Sequence, residues 1–260
     1  LPWRPRLTLN KKITASLLKF GRSIIGGDIL TVVIDNLDYI IVGRIFGVAQ
    51  LSVYTLAYRL PEMLVVGNLW VLGAVIFPAF SSIQDRPDEM RRGFLTSVRL
   101  IAMIIVPICL GLVIAADPIV RVLFGDQWLD VIPLLQVLAI YAWLYSLGYH
   151  IGDIYKAIGR PDILLKLGLL SLIILIPAML IGSQFGLIGI AWGHLIAVLI
   201  RRIVSLQIAT RFVDVSLVDI FSELKPSFLG GLLMAPVTLT VLILTAAINP
   251  VLQLVSVVVS

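Results

Sequence analysis

Four polar side chains recur at helical spacing within an apolar stretch near the start of the 260-residue sequence. They are Asp28, Thr31, Asp35 and Asp38. At 100° per residue they occupy an arc of about 80° on a helix, over about 15 Å of its length. Such a stripe can be a polar seam between packed helices or the wall of a water-filled pathway. We favour the pathway, because ionisable residues within apolar helices usually face a cavity or a partner.

The next apolar stretch carries aromatic, polar and charged residues on one side of a predicted helix. These residues are Tyr54, Tyr58, Pro61 and Asn68, with Glu62 at the edge of the same side. Arg59 and Glu62, at i and i+3, can form an ion pair that is either structural or part of a site. Pro61 predicts a kink in this helix.

A third stretch repeats the spacing of the first, with Trp143, Ser146, His150 and Asp153 at i, i+3, i+7 and i+10. His150 and Asp153 can act as a proton relay, since histidine titrates near neutrality. Their position near the predicted end of a span favours a solvated helix terminus over the relay. His194 stands alone, and we expect it to be packed or bonded to the backbone.

Aromatic rings combined with carboxylates suit a sugar ligand. Rings stack on pyranose faces, while carboxylates accept hydrogen bonds from hydroxyl groups; the same set also suits a cationic drug. Motifs of catalysis, such as Gly-x-Ser-x-Gly and His-Glu-x-x-His, are absent, and the single Cys109 excludes a site of paired thiols. We therefore predict no catalytic residue, no metal site and no cofactor, and leave coupling to H⁺ or Na⁺ open.

The composition places these side chains in a membrane protein. Sixty per cent of the residues are apolar and 13% are charged, with a mean hydropathy of +1.07. Soluble domains average about 45–50% apolar and 25% charged residues. Apolar runs long enough to span a bilayer as helices, about 20 residues each, recur along the chain. The sequence predicts an all-α fold, a polytopic transmembrane helical bundle.

Seven spans and the start of an eighth can be placed. They cover roughly 24–45, 51–80, 100–116, 131–155, 165–181, 187–200 and 228–248, with the last beginning at 251. The predicted organisation is a basic linker over 1–12, a six-helix lobe over 13–213, an amphipathic interfacial segment over 214–225 and a truncated helical pair over 226–260. The start at Leu1 and the end within an apolar run suggest a fragment.

The basic residues predict the orientation. With the N-terminus in the cytoplasm, 17 of the 20 Lys and Arg residues fall on that side, and Arg44 and Arg121 fall on the other. Arg59 remains inside a span. Cytoplasmic loops of membrane proteins carry such an excess. The net charge of +5 therefore indicates topology in a lipid bilayer, and we predict no nucleic-acid partner.

Six segments in order resemble one family of membrane proteins. They are WRPRL (3–7), NLDYIIVGRIFG (36–47), YTLAYRLPE (54–62), FPAFSSIQ (77–84), VLFGDQW (122–128) and AIGRP (157–161). This set resembles the bacterial polysaccharide flippases of the MOP superfamily, the Wzx-type O-antigen and exopolysaccharide flippases, over roughly 3–213.

The resemblance implies a larger protein of two six-helix lobes with the substrate between them. This chain is similar to the C-terminal lobe plus an extra helical pair, and the N-terminal lobe is missing from it. Such proteins move undecaprenyl-pyrophosphate-linked oligosaccharides to the periplasmic leaflet of the inner membrane in polysaccharide and lipopolysaccharide biosynthesis. The substrate-pathway candidates are Asp28, Asp35, Asp38, Arg44, Tyr54, Tyr58, Arg59, Glu62, His150 and Asp153.

Two other classes of protein compete with the flippase. A cation-coupled multidrug antiporter of the same superfamily would use buried carboxylates, but Arg22, Arg44 and Arg59 suit a pyrophosphate better than a cationic drug. A membrane-embedded glycan polymerase or acyltransferase would need a long loop with clustered acids or histidines, and the sequence has no such loop.

Overall fold

The computed structural model describes residues 11–245 and 250–259, which contain helices and turns and no β-strand. The predicted linker lies almost wholly before this range. The helices are α1 (Lys11–Pro61), α2 (Gly67–Ser82), α3 (Pro87–Ile114), α4 (Ala116–Leu123), α5 (Val131–Ser146), α6 (Ile151–Ala157), α7 (Asp162–Gly182), α8 (Gly186–Val213), α9 (Leu217–Leu244) and α10 (Pro250–Val259). The all-α prediction is confirmed.

Five segments of the described chain are long and apolar enough to cross a membrane. They are Ile24–Ser82, Pro87–Ile114, Val131–Ala157, Asp162–Phe212 and Leu217–Leu244. The first has 59 residues and the fourth has 51, or about 90 and about 75 Å of helix, against a hydrocarbon core of about 30 Å. Each of these two therefore holds two crossings, which gives seven in the five segments.

The first long segment reverses direction at Gly47. Its φ of 81° and ψ of −179° are non-helical, a conformation that glycine adopts without steric cost. The hydroxyl of Tyr54 donates to Asp38 Oδ2 at 3.2 Å. A straight helix would separate these residues by about 24 Å, so the two halves of α1 form an antiparallel hairpin.

The second long segment reverses at the short 3-10 turn Ser183–Phe185. Beyond it α7 and α8 pack closely through small residues. A Cβ added at Gly193 would lie 2.5 Å from the carbonyl oxygen of Ala178, and Gly182 and Gly189 meet backbone to backbone. Small residues in this arrangement let membrane helices approach each other closely.

Helix α9 is longer than the predicted seventh span. It begins with a capping box, in which the Asp219 N–H donates to Ser216 Oγ at 3.1 Å and the Ser216 N–H donates to Asp219 Oδ2 at 3.0 Å. It continues unbroken to Leu244. Residues 217–225 of the segment predicted to lie at the interface, 214–225, thus form the first turns of α9. Arg91 of α3 pairs with Asp219 in these turns at 3.0 Å, which links α9 to α3.

Candidate functional site

Six helices of the bundle line a cavity of about 410 Å³. Its walls come from the first half of α1, from α2, from α5 with α6, from α7 and from α8. Sites for small ligands commonly measure about 300–1,000 Å³. The lining carries carboxylates, basic groups and tyrosines, so it is a polar chamber within an apolar bundle.

The acidic wall of the cavity is the N-terminal part of the predicted stripe. Asp28, Thr31 and Asp35 all line the cavity. Val33 and Ile40 point the other way and are 41% and 62% exposed. The helical periodicity therefore separates a polar face towards the cavity from an apolar face suited to lipid.

Asp38, the last member of the stripe, lies in the core instead. It is 1% exposed and accepts hydrogen bonds from the Tyr54 hydroxyl at 3.2 Å and the Tyr39 N–H at 2.9 Å. Tyr54 is fully buried. Both residues were expected on the pathway; the hairpin at Gly47 instead folds the second half of α1 over Asp38 and removes both from the cavity.

His194 is packed against this buried carboxylate. It is 4% exposed, its Nδ1 lies 3.6 Å from Asp38 Oδ2, and its ring centroid is 4.1 Å from that of Tyr141. The expectation that His194 is packed is confirmed, and its neighbours on α1 and α5 are residues far from it in the chain.

A row of tyrosines leads from the core to the cavity. Neighbouring ring centroids are 5.9–6.0 Å apart along Tyr58, Tyr141, Tyr145 and Tyr149. Tyr145 and Tyr149 line the cavity. The sequence analysis identified Tyr58 and missed the other three, although their spacing of four residues would have placed them on one helical face.

The predicted fourth span is interrupted beside the cavity. Helix α5 ends at Ser146 and α6 begins at Ile151, and Gly148 between them has a φ of +70°. The buried guanidinium of Arg202 donates to the carbonyl oxygen of Gly148 at 3.2 Å and to that of Tyr145. Backbone groups freed within a membrane helix need such partners. The span predicted over 131–155 is confirmed within Val131–Ala157, but it consists of two helices with a break at residues 147–150.

His150 and Asp153 lie next to this interruption and are in contact. His150 Nδ1 is 3.3 Å from Asp153 Oδ2. His150 is 2% exposed, so it does not occupy a solvated helix terminus. Asp153 lines the cavity.

The cavity also carries basic groups, which lie on α6 and α8. Lys156, Arg201 and Arg202 line the cavity, although the sequence analysis had placed all three in cytoplasmic segments. Helix α8 continues to Val213, well beyond the predicted end of the sixth span at 200. The signal was available: Val198, Arg202, Ser205 and Ala209, all buried, keep the helical period past residue 200.

Arg59 and Glu62 lie in a groove beside the cavity. The groove shares Val66 and Trp70 with it. Arg59 Nη1 is 4.0 Å from Glu62 Oε2, and the side chains are 70% and 49% exposed. Glu62 opens a π-helical turn, Glu62–Val66, an irregularity frequent at functional sites.

Arg44 is exposed and lines neither the groove nor the cavity. Among the described residues, no group of three or more His, Cys, Asp or Glu side chains is arranged to hold a metal ion.

The model of the family described as polysaccharide biosynthesis protein matches residues 1–133, just over half of the chain. The chain belongs to this polysaccharide biosynthesis protein family. The resemblance noted in the sequence is thereby confirmed, and the chain is a multi-pass membrane protein.

Several curated relatives are similar to this member of the polysaccharide biosynthesis protein family. The lipopolysaccharide biosynthesis protein WzxC of Escherichia coli is 32% identical over 204 residues, which cover 78% of this chain and 42% of WzxC. The teichuronic acid biosynthesis protein TuaB of Bacillus subtilis is 27% identical over 231 residues, 87% of this chain and 47% of TuaB. The succinoglycan biosynthesis transport protein ExoT of Rhizobium meliloti is 25% identical over 141 residues, 53% of this chain and 28% of ExoT.

The chain spans less than half the length of each of these relatives. No solved structure matches it.

Thiol labelling can test whether the acidic stripe of this family member faces the cavity. Cysteines replacing Asp28 or Asp35 should react with a polar, membrane-impermeant reagent severalfold faster than cysteines at Val33 or Ile40, because the first two positions line the polar cavity. A cysteine at Asp38 should react slowly, since Asp38 is 1% exposed. The measurement is labelling of the full-length gene product in opened membranes, with the buried Cys109 as background. Equal rates at all five positions would refute the assignment of faces.

Proposed function

We propose that this chain is part of a flippase that moves undecaprenyl-pyrophosphate-linked oligosaccharides from the cytoplasmic to the periplasmic leaflet of the bacterial inner membrane. The polar cavity inside the helical bundle is the main observation that supports this proposal. The chain's membership of the polysaccharide biosynthesis protein family is consistent with it. Asp28 and Asp35 offer acceptors for sugar hydroxyls, and Tyr145 and Tyr149 offer ring faces. Lys156 and Arg201 offer positive charge for phosphate. A transporter needs a polar chamber for its substrate and does not need a set of catalytic residues.

The surface beside the groove suits a lipid carrier. Trp70, Val71 and Val75 of α2 are 74%, 69% and 69% exposed, and Trp70 borders both the groove and the cavity. A polyprenyl tail can remain in the bilayer along this face while its headgroup enters the polar space. A cationic drug, by contrast, would meet Lys156 and Arg201 in the same cavity, which disfavours the antiporter.

Transport by alternating access requires a second half. In transporters built from repeats, the substrate site lies between two bundles that rock against each other, and this chain spans less than half of its relatives. The distribution of Lys and Arg supports a cytoplasmic N-terminus for this chain. The matching N-terminal lobe would supply the opposite wall of the pathway.

Complementation tests this proposal. In a strain that lacks its polysaccharide flippase, the full-length gene product should restore glycan export, while residues 1–260 expressed alone should restore none above background, because one lobe cannot expose a site to both sides. Surface glycan is measured with a lectin or antibody, and membrane abundance is measured for both proteins. Export restored by residues 1–260 alone would contradict alternating access between two unlike lobes. Failure of an abundant full-length product would contradict the flippase itself.

A further inference from the structure

Two cavities meet at the break between α5 and α6. Gly148, whose φ is +70°, lines both the large polar cavity and a smaller one of about 10 Å³. His150 lines the smaller cavity, and Asp153 lines the larger one. The contact between His150 Nδ1 and Asp153 Oδ2, 3.3 Å long, therefore connects the two cavities beside the break.

The second ring nitrogen of His150 is available to take up a proton. Nδ1 faces the carboxylate of Asp153, which would repel a nitrogen lone pair, so Nδ1 carries the hydrogen of the neutral ring. Nε2 is then the basic nitrogen, and it is buried with no hydrogen-bond partner in the described part of the chain. A proton from water that adds to Nε2 gives an imidazolium paired with Asp153, and no other bond changes. Histidine is the side chain that ordinarily undergoes this change near neutral pH.

The helices around His150 bring no second carboxylate into contact with it within the described residues. Helix α2, which packs against α6, has no ionisable side chain, and the α3 residues that line the smaller cavity are apolar or serine. Three further charged groups on neighbouring helices have partners of their own, namely Arg99 with Glu223, Asp162 with Lys166, and Arg202 with the carbonyl oxygens of the break. The charge of a protonated His150 is therefore compensated by Asp153.

Proton uptake by this pair changes the net charge at the large cavity. With His150 neutral, the charges of the described residues that line the cavity cancel. They are the carboxylates of Asp28, Asp35 and Asp153 and the basic groups of Lys156, Arg201 and Arg202. With His150 protonated, Asp153 is compensated and the lining becomes net positive. An anionic ligand is then attracted more strongly, because charges interact more strongly in a protein interior than in bulk water.

We propose that His150 and Asp153 form a proton-binding pair that links uptake of one proton to binding of an anionic ligand in the large cavity. This inference rests on the proposed function, in which the anionic group is the diphosphate of the lipid-linked substrate. Linkage is reciprocal: the factor by which the proton raises the affinity for the ligand is the factor by which the ligand raises the affinity for the proton. The ligand therefore binds more tightly as the pH falls from about 8 to about 6, through the range in which histidine titrates, and brings a proton with it.

Calorimetric titration of the purified full-length gene product with undecaprenyl diphosphate tests this linkage. Titrations at pH 7 in two buffers of different ionisation enthalpy count the protons taken up, and titrations at pH 6 and pH 8 give the affinities. The affinity of the unmodified protein should rise about tenfold more between pH 8 and pH 6 than that of His150→Gln, a factor typical of linked sites. The variant also reports the protonation of the diphosphate itself, and the unmodified protein should take up part of one proton in excess of it.

The two members of the pair should respond in opposite directions. His150→Gln leaves Asp153 uncompensated, so its affinity at pH 6 should fall to that of the unmodified protein at pH 8. Asp153→Asn removes the negative charge, so its affinity at pH 8 should rise towards that of the unmodified protein at pH 6. His194→Gln is the matched control, because it changes the other histidine of the chain, which is buried and does not line the large cavity. Its proton uptake should equal that of the unmodified protein.

Each outcome separates the proton-binding pair from the wider function. Weaker binding by both variants at pH 8 is the result of a purely structural contact and overturns the pair. Proton uptake that persists in His150→Gln, in a protein that still restores glycan export, overturns the pair and leaves the flippase standing. If His150→Gln fails to accumulate, a fall in the affinity of Asp153→Asn at pH 8 is enough to overturn the pair.

A measurement without ligand decides the case in which undecaprenyl diphosphate does not bind at any pH, a result that contradicts the proposed substrate. In the full-length gene product labelled with ¹³C in its histidine rings, the resonance that His150→Gln removes should shift between about pH 6 and pH 8. Asp153→Asn should displace this shift to lower pH, because the imidazolium loses its carboxylate partner. A resonance that stays constant over this range, or that Asp153→Asn does not affect, overturns the pair.

Discussion

Replacing Arg59 with alanine should reduce glycan export by the full-length gene product about tenfold or more, while the protein remains near its normal abundance in the membrane. Arg59→Lys should cause a smaller loss, because lysine keeps the charge but cannot bind a phosphate through two parallel hydrogen bonds. Abundance should be unaffected because the side chain is 70% exposed within the chain and therefore contributes little to packing. The measurement is surface glycan per unit of membrane protein in a flippase-null strain.

The alternative role for Arg59 is structural, as the partner of Glu62. The separation of 4.0 Å lies at the limit of an ion pair, and Glu62 is 49% exposed. Exposed pairs of this kind contribute about 0–1 kcal/mol, so Glu62→Ala should be much less harmful than Arg59→Ala. If the pair were structural, the two single variants would be equally harmful and the double variant Arg59→Ala/Glu62→Ala would recover export. Recovery in the double variant contradicts a role in binding the diphosphate.

The parts of the site that follow one helix were predictable from the sequence. Asp28, Thr31 and Asp35 line the cavity because a spacing of three to four residues places side chains on one face of any helix. The same periodicity places Val33 and Ile40 on the opposite face, and both are exposed. Apolar runs likewise predicted the crossings, since length and hydropathy are local properties.

The parts that depend on contacts between distant residues were not predictable in this way. Asp38 satisfies the same spacing as Asp35, but its burial depends on Tyr54, 16 residues later, folding back onto it. Arg202 lies 54 residues from Gly148 and 57 from Tyr145. The periodicity of a single helix therefore cannot predict the break in the fourth span or the contacts that stabilise it. A prediction from hydropathy alone ends the sixth span at residue 200, and therefore assigns Arg201 and Arg202 to the cytoplasmic segment that follows it.

The close approach of α7 and α8 predicts a large effect at Gly193. Gly193→Ala would place a methyl group 2.5 Å from the Ala178 carbonyl oxygen and 2.8 Å from its carbon. Because these are backbone atoms that cannot rotate away, the helices must separate, and overpacking of this kind costs about 1–3 kcal/mol. Gly193→Leu should cost more and reduce membrane abundance severalfold. The cavity should be lost with it, since α7 and α8 both supply its walls.

Gly230 provides the matched control for this prediction. It also lies within a membrane helix, α9, but in the described part of the chain no neighbouring helix or side chain lies within 4 Å of a Cβ added there. Gly230→Ala should keep or raise stability, because alanine is favoured over glycine in a helix by about 1 kcal/mol. Thermal unfolding of the full-length gene product in detergent, followed by size-exclusion chromatography, compares the two positions. If Gly193→Ala and Gly193→Leu both unfold at the temperature of the unmodified protein, the close backbone contact between α7 and α8 does not stabilise the protein. The GIAWG segment (189–193) would then tolerate larger side chains as any other part of α8 does.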